Sequence, residues 1–408
     1  MNSTSLAAGR VGLRLSAEVG GRALQFVVVV VVARALPPEE FGLLMVGFTL
    51  GLVLGQASDL GLSLIVAADA TRAERDLHGR IASALMVKLV LLAIAALGIL
   101  GIVALGGGSG PVVGAGMVAF ALALDSIVQF VGWLLRATGH FMYDWVVALV
   151  PRLAVAAVVI PVAVVGLGEV AAGLAWLAGS AVAAGFALLV LRREVPFGGP
   201  SVGRARELLL RSWPIGGSVV AAMLYSRVAL FVLQVMAPGP QVGEYAAAGR
   251  MLDPTYLIPA ALAYVFYPAF SSATAEGQAG SSTLRSWLLV AGVIGTSVTL
   301  VLFLSASVLV ALIFGPAYAG AATILRILAL IPMFGFPSYL MNQALAARGQ
   351  AIVAFWTGIV LLACVVVAQP LALLAAGPAG VAACSVAVEI VLFGIFLLAL
   401  RGRWRMAA

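Results

Sequence analysis

In the stretch Arg22-Ala23-Leu24-Gln25-Phe26-Val27-Val28-Val29-Val30-Val31-Val32-Ala33-Arg34-Ala35-Leu36-Pro37-Pro38-Glu39-Glu40-Phe41-Gly42, an apolar run from Phe26 to Ala33 is followed at once by a turn and a second apolar start. Arg10 and Arg14 ahead of the run would also suit a signal peptide. Glu18 and Arg22 interrupt that pattern early, and Phe26 to Ala33 carries it on to the roughly 20 residues that cross a bilayer. The reading is therefore a retained first helix, joined by Pro38-Glu39-Glu40-Phe41-Gly42 to a second one.

The same alternation continues along the chain. Of 408 residues 63% are hydrophobic and 10% charged, and 46 Gly outnumber 16 acidic residues. A soluble domain averages about 45–50% apolar and about 25% charged. This excludes a soluble globular enzyme, a disordered chain and a secreted disulfide scaffold, and leaves an all-α integral membrane protein. Apolar segments fall at 12–36, 40–68, 80–106, 111–136, 142–167, 169–191, 208–237, 241–272, 284–313, 318–346, 350–375 and 378–400, giving about twelve transmembrane helices. The eighth is broken by Pro254, Pro259 and Pro268 and the tenth by Pro332 and Pro337, as lipid-embedded helices allow when neighbours satisfy the freed backbone. Cys364 and Cys384 sit in separate segments without partner spacing and read as small core residues.

The net charge of +7 is dispersed in short loops between apolar runs, which argues for topology rather than nucleic-acid binding. One set of alternate loops carries sixteen Arg, from Arg10 and Arg14 through Arg192, Arg193 and Arg204 to Arg405, whereas the other carries Arg34 alone. Positive residues stay inside, so both termini are expected in the cytoplasm. The halves also repeat. Pro38 to Gly42 has its counterpart in Pro240-Gln241-Val242-Gly243, and Arg136-Ala137-Thr138-Gly139-His140 in Ala346-Ala347-Arg348-Gly349-Gln350. Both halves start on the same side, so the repeat is parallel, as in transporters that rock two bundles about a central site. The expected organisation is an N-lobe over 1–195 with helices one to six, a cytoplasmic link over 196–207, and a C-lobe over 208–408 with helices seven to twelve, pseudo-symmetric around a central cavity.

Several short motifs lie in a fixed order over nearly the whole chain. They are Ala33-Arg34-Ala35-Leu36-Pro37 with Phe41-Gly42, Asp59-Leu60-Gly61, Trp213-Pro214, Gly243-Glu244-Tyr245 with Ala248, and Phe314-Gly315 with Tyr318. With twelve spans in two lobes, the chain resembles the oligosaccharide-flippase branch of the multidrug/oligosaccharidyl-lipid/polysaccharide exporter superfamily. The peptidoglycan-lipid flippases of that superfamily are less similar, because they usually carry two further helices.

Ionisable residues inside spans are the informative set, because each is costly in hydrocarbon and faces a bundle interior or a wet cavity. They are Glu18, Arg22, Asp59, Asp125 and Arg152 in the first half, and Arg227, Arg250, Asp253, Arg326 and Glu389 in the second. Lys88, near a helix end, is expected to snorkel. Glu18 and Arg22 are i, i+4 and Arg250 and Asp253 are i, i+3, while Gln56, Asp59 and Ser63 form a stripe. These could be ion pairs that hold the bundles together. The resemblance implies instead that Arg22 and Arg250, with Arg227 and Arg152, bind the diphosphate of a lipid-linked oligosaccharide. Guanidinium suits that task through its planar, permanently charged fork. Glu18, Asp59, Asp125, Asp253 and Glu389 are counter-ions or sites for a coupling proton or cation. Tyr225, Tyr245, Tyr256, Tyr264 and Tyr267 could stack on sugar rings, with Tyr245 and Tyr267 the better candidates for an interfacial belt.

No enzyme site is expected. His78 and His140 lack metal-ligand spacing, no Walker-type loop is present, and there is no Asp-x-Asp pair. Neither a cofactor nor a metal is called for. The expected function is a flippase carrying a polyprenyl-diphosphate-linked oligosaccharide across the bacterial inner membrane by alternating access. Polysaccharide polymerase and glycosyltransferases are its expected partners. A drug exporter of the same superfamily is the first rival. A membrane-embedded polymerase or ligase is the second, disfavoured by outer loops of about ten residues or fewer.

Overall fold

A computed structural model describes residues 3–71, 76–195, 198–263, 265–266, 281–348 and 350–401. All its regular elements are helical, as apolar segments in lipid must be to satisfy their own backbone groups. In order they are α1 (Ser3–Ala35), α2 (Pro38–Asp59), α3 (Leu62–Thr71), α4 (Leu77–Leu105), α5 (Gly110–Ala137), α6 (Phe141–Val165), α7 (Gly168–Glu194), α8 (Val202–Met236), α9 (Pro240–Leu252), α10 (Ser281–Ile313), α11 (Ala321–Leu328), α12 (Ile331–Ala347) and α13 (Ala351–Arg401). A 3-10 turn over Asp253–Tyr256 leads from α9 into helical residues 257–263.

Among the described residues nine helices are long and apolar enough to cross a membrane, and α11 with α12, bent by 41°, makes a tenth. The last of the nine, α13, is two segments in one, because Ala376 and Gly377 leave helical geometry there. Counting these separately, and adding α9 with its continuation, the protein is an all-α, multi-pass membrane protein of about twelve helices.

By internal packing the chain forms two compact units, Met1–Val220 and Ala221–Ala408. In the first, α5 is central and packs on α2, α4, α6 and α7, with α1 against α6. The contact between α2 and α5 is close because Gly47 and Gly51 carry no side chain. A Cβ on either would overlap the carbonyl oxygens of Ala115 and Ala119. In the second unit α9 packs on α11, α10 on α11 and α12, and α13 on both α11 and α12.

The repeat is visible in local geometry. Pro38 and Pro240 each open a helix, where the missing N–H is not needed. At the far corners, His140 N–H donates to Leu135 O at 2.7 Å and Gln350 N–H to Leu345 O at 2.8 Å. Thr138 N–H and Arg348 N–H likewise reach back to Leu134 O and Ala344 O. Both are the six-residue closure of a helix C-terminus.

Two expected segments are interrupted. The second, expected over 40–68, breaks after Asp59, where Leu60 (φ 42°) and Gly61 (φ 77°) enter the left-handed region. The cause is a crossing within the first unit. A Cβ on Gly61 would lie 3.1 Å from both Gly216 N and Ser212 O of α8, and one on Gly216 would overlap the Leu60 backbone. The motifs Asp59-Leu60-Gly61 and Trp213-Pro214, far apart in sequence, thus bracket one backbone contact. The eighth segment, expected over 241–272, changes to 3-10 geometry at Asp253, and its Tyr264, Tyr267 and Pro268 lie outside the described residues.

Candidate functional site

The ionisable side chains expected inside spans gather into three groups, each within one unit. On α1, Arg22 Nε donates to Glu18 Oε1 at 2.8 Å, a pair one helical turn apart. The Arg22 side chain keeps 40% of its exposure, and its two terminal nitrogens have no acceptor among the described residues. Arg152 of α6 lies over Gly21, where a Cβ would stand 2.8 Å from its Cζ, and donates to Ala148 O at 3.0 Å. Asp125 of α5 is hydrogen-bonded by Gln129 and lies within electrostatic reach of both Arg152 and Glu18. Arg22, Arg152, Glu18 and Asp125 are therefore one neighbourhood drawn from α1, α5 and α6.

The second group surrounds the break after α2. Asp59 Oδ1 accepts from Lys88 Nζ at 2.7 Å and from Ser63 Oγ at 2.5 Å. Lys88 is fully buried, and its ammonium lies 5.8 Å from the Phe130 ring centroid. This corrects the expectation that Lys88 snorkels. Its stem runs inward from α4 because the Asp59 carboxylate awaits it, and an unpaired ammonium there would be far costlier than the lost hydration.

The third group lies in the second unit. Arg250 of α9 is 8% exposed, and its Nη1 donates to Asp253 Oδ2 at 2.8 Å. Arg227 of α8 approaches the other oxygen, Oδ1, at 3.7 Å and keeps 31% side-chain exposure. Asp253 thus stands between two guanidinium groups. Beside them, Glu389 of α13 is within electrostatic reach of Tyr225 and Tyr256, and Tyr256 also of Asp253 and Arg227. A Cβ on Gly335 would lie 3.2 Å from Glu389 Oε1 and 3.6 Å from Tyr256 Oη. Arg326, by contrast, donates to Ser307 Oγ at 2.8 Å.

Tyr245 does not belong to an interfacial belt. It is 8% exposed and its hydroxyl pairs with Ser385 Oγ at 3.1 Å inside the second unit. A further network escaped the sequence. Asp69, fully buried at the end of α3, accepts from Arg80 Nε at 2.8 Å and Arg211 Nη2 at 3.1 Å, and Arg80 also reaches Glu207 at 2.8 Å. Arg80 and Arg211 read as loop cations, and the only signal available was an acid at the edge of an apolar segment. Among the described residues no three His, Cys, Asp or Glu side chains converge as a metal site requires.

Residues 10–274 match the model of a family described as polysaccharide biosynthesis protein. No curated protein sequence matches the chain. Among solved structures, the chain is similar to a multidrug resistance transporter of the MATE family and MOP superfamily in an inward-facing conformation, with a TM-score of 0.74, 16% identity, and coverage of 93% of this chain and 94% of that one. It is also similar to a MOP superfamily transporter from Pyrococcus furiosus, described as having a binding pocket of reverse polarity, with a TM-score of 0.70, 16% identity, and coverage of 96% and 93%. An outward-facing MATE transporter gives 0.68 at 17% identity, covering 95% and 93%. At such identities these likenesses show the fold, which is that of the transporters of this superfamily.

Proposed function

Because the chain belongs to the polysaccharide biosynthesis protein family, we propose that it is a flippase that moves a polyprenyl-diphosphate-linked oligosaccharide from the cytoplasmic to the outer leaflet of a bacterial inner membrane. In this reading lobes 1–195 and 208–408, joined by 196–207, work by alternating access, with both termini in the cytoplasm. The glycan then serves a surface lipopolysaccharide or exopolysaccharide, handed on by glycosyltransferases and taken up by a polymerase.

The observation that carries the substrate is the set of guanidinium groups in the apolar interior of each unit. Each unit holds a guanidinium group that is charged, partly accessible and not saturated by its acid partner. Arg22 uses only Nε on Glu18, and Arg227 stands 3.7 Å from Asp253, beyond hydrogen-bond distance. A guanidinium has five donors in one plane, so each has donors left for phosphate oxygens. Arg152 and Arg250 are more enclosed. We assign Arg250 to holding Asp253 beside Arg227, and Arg152 to holding Asp125. A headgroup that leaves water for about 30 Å of hydrocarbon must exchange hydration for such fixed donors.

The test is complementation of a glycan-export mutant, scored beside the amount of protein in the membrane. Arg22→Ala and Arg227→Ala should each reduce export by about ten- to a hundredfold at normal abundance, the worth of a charge-assisted hydrogen bond. Arg22→Lys should also fall short, because it keeps the charge and loses the fork. Full export by both Ala variants at normal abundance would defeat the phosphate-clamp reading. The drug-exporter reading keeps the fold and would instead give loss of drug resistance with glycan export intact.

A further inference from the structure

Four of the five acids expected inside spans have a basic neighbour. Glu18 has Arg22, Asp59 has Lys88, Asp253 has Arg250 and Arg227, and Asp125 faces Arg152. Glu389 has none among the described residues. Among the described residues no hydrogen bond or ion pair reaches its carboxylate, and the groups electrostatically linked to it are the Tyr225 and Tyr256 side chains. Neither of those two phenols has a hydrogen-bond partner among the described residues either. Three polar groups from α8, the turn after α9, and α13 therefore converge in the second unit without satisfying one another. All three side chains are half-buried, so a ligand or water can reach and complete them.

Gly335 of α12 lets its backbone approach Glu389 Oε1 and Tyr256 Oη closely, because a Cβ there would stand 3.2 Å and 3.6 Å from them. The Tyr256 ring is steadied edge-on against Phe336, with centroids 6.3 Å apart. Tyr225 packs against the apolar cluster of Met341, Leu361 and Phe396. The two rings are thus held by apolar neighbours, while their hydroxyls and the carboxylate remain open.

We propose that Tyr225, Tyr256 and Glu389 form a saccharide subsite that recognises vicinal hydroxyls of a sugar ring, separate from the guanidinium groups that take the diphosphate. This deepens the flippase reading and rests on it. Adjacent hydroxyls of one ring donate to the two carboxylate oxygens and accept from the two phenols, which satisfies all three groups together. A proton alone would satisfy the carboxylate and leave both phenols open. The aromatic faces suit the C–H face of a pyranose, so the site combines stacking with hydrogen bonding. The charged neighbours on the packed elements, Arg227 on α8, Asp253 after α9 and Arg250 on α9, belong to a neighbouring pair system and leave Glu389 without a counter-ion.

The full-length protein in nanodiscs can be titrated with two probes: sugar-free polyprenyl diphosphate, and the polyprenyl-diphosphate oligosaccharide fraction extracted from membranes of the cells that make this chain. Wild type should prefer the glycosylated lipid. Tyr225→Phe, Tyr256→Phe and Glu389→Gln should each cut that preference about tenfold, as loss of one hydrogen bond to a buried partner does, and leave sugar-free lipid binding unchanged. Gly335→Ala should do the same by crowding the carboxylate. No preference in wild type, or an unchanged preference in all four variants, would overturn the subsite. An unchanged preference in Glu389→Gln together with lost pH dependence of export would overturn it in favour of a proton site. If neither probe binds wild type, the flippase reading itself fails and takes the subsite with it.

Discussion

Asp59 and Lys88 show what a charge requires when water is withdrawn. The pair joins α2 to α4 at 2.7 Å with the ammonium wholly buried. Removing one member leaves the other uncompensated, at a cost of about 3–5 kcal/mol. Lys88→Met should therefore lower the thermal midpoint of the purified protein and its amount in the membrane. Lys88→Met combined with Asp59→Asn should recover much of both, since the orphan charge is gone. If the single and double variants are equally unstable, the pair contributes packing and not charge. The two kinds of pair also differ in how they can be read. Glu18 and Arg22 lie one turn apart on α1, and Asp253 follows Arg250 by three residues where α9 passes into the 3-10 turn, so spacing alone brings each pair together. Asp59 with Lys88, Asp253 with Arg227, and Asp69 with Arg211 lie on different elements, and no periodicity within a segment connects them. The sequence therefore brings out two of these five pairs and passes over the buried Lys88 and Asp69.

Among helices, the break after α2 is the clearest case of a shape imposed from outside the segment. Nothing in the apolar run over 40–68 demands an interruption at Leu60, and the left-handed turn is explained only by the approach of α8 at Gly216. Gly216→Ala should destabilise the protein, because its Cβ meets Leu60 backbone that has nowhere to go. Gly217→Ala is the matched control. Its Cβ has only Trp213 Cε3 near, at 4.0 Å, and the change should leave the thermal midpoint unchanged or raise it slightly through helix propensity worth up to about 1 kcal/mol. Equal effects of the two would remove the crossing as the cause of the break. The turns themselves were legible, because Pro at a helix start and Gly at a helix end have local reasons. Hence Pro38 with Pro240, and the corners at His140 and Gln350, could be matched from the chain alone. The 3-10 turn at Asp253, like the break at Leu60, could not.

For the whole molecule, composition was enough to require an all-helical membrane protein, since a chain 63% hydrophobic and 10% charged has no soluble surface to build. The proposed direction across the membrane rests on the basic loops. An enzyme reporter active only outside the inner membrane should be active when fused at Gly108 and silent after Arg405, and the reverse would overturn the assigned topology. The substrate rests on the guanidinium groups carried by both units, and it is best tested with the purified protein alone. Proteoliposomes are loaded with polyprenyl-diphosphate-linked oligosaccharide, and the headgroup exposed on the far leaflet is followed with time. Wild type should move it well above the rate in protein-free vesicles, with Arg22→Ala and Arg227→Ala slowed about tenfold or more. Movement no faster than in protein-free vesicles, with the protein folded and inserted, would contradict the flippase assignment.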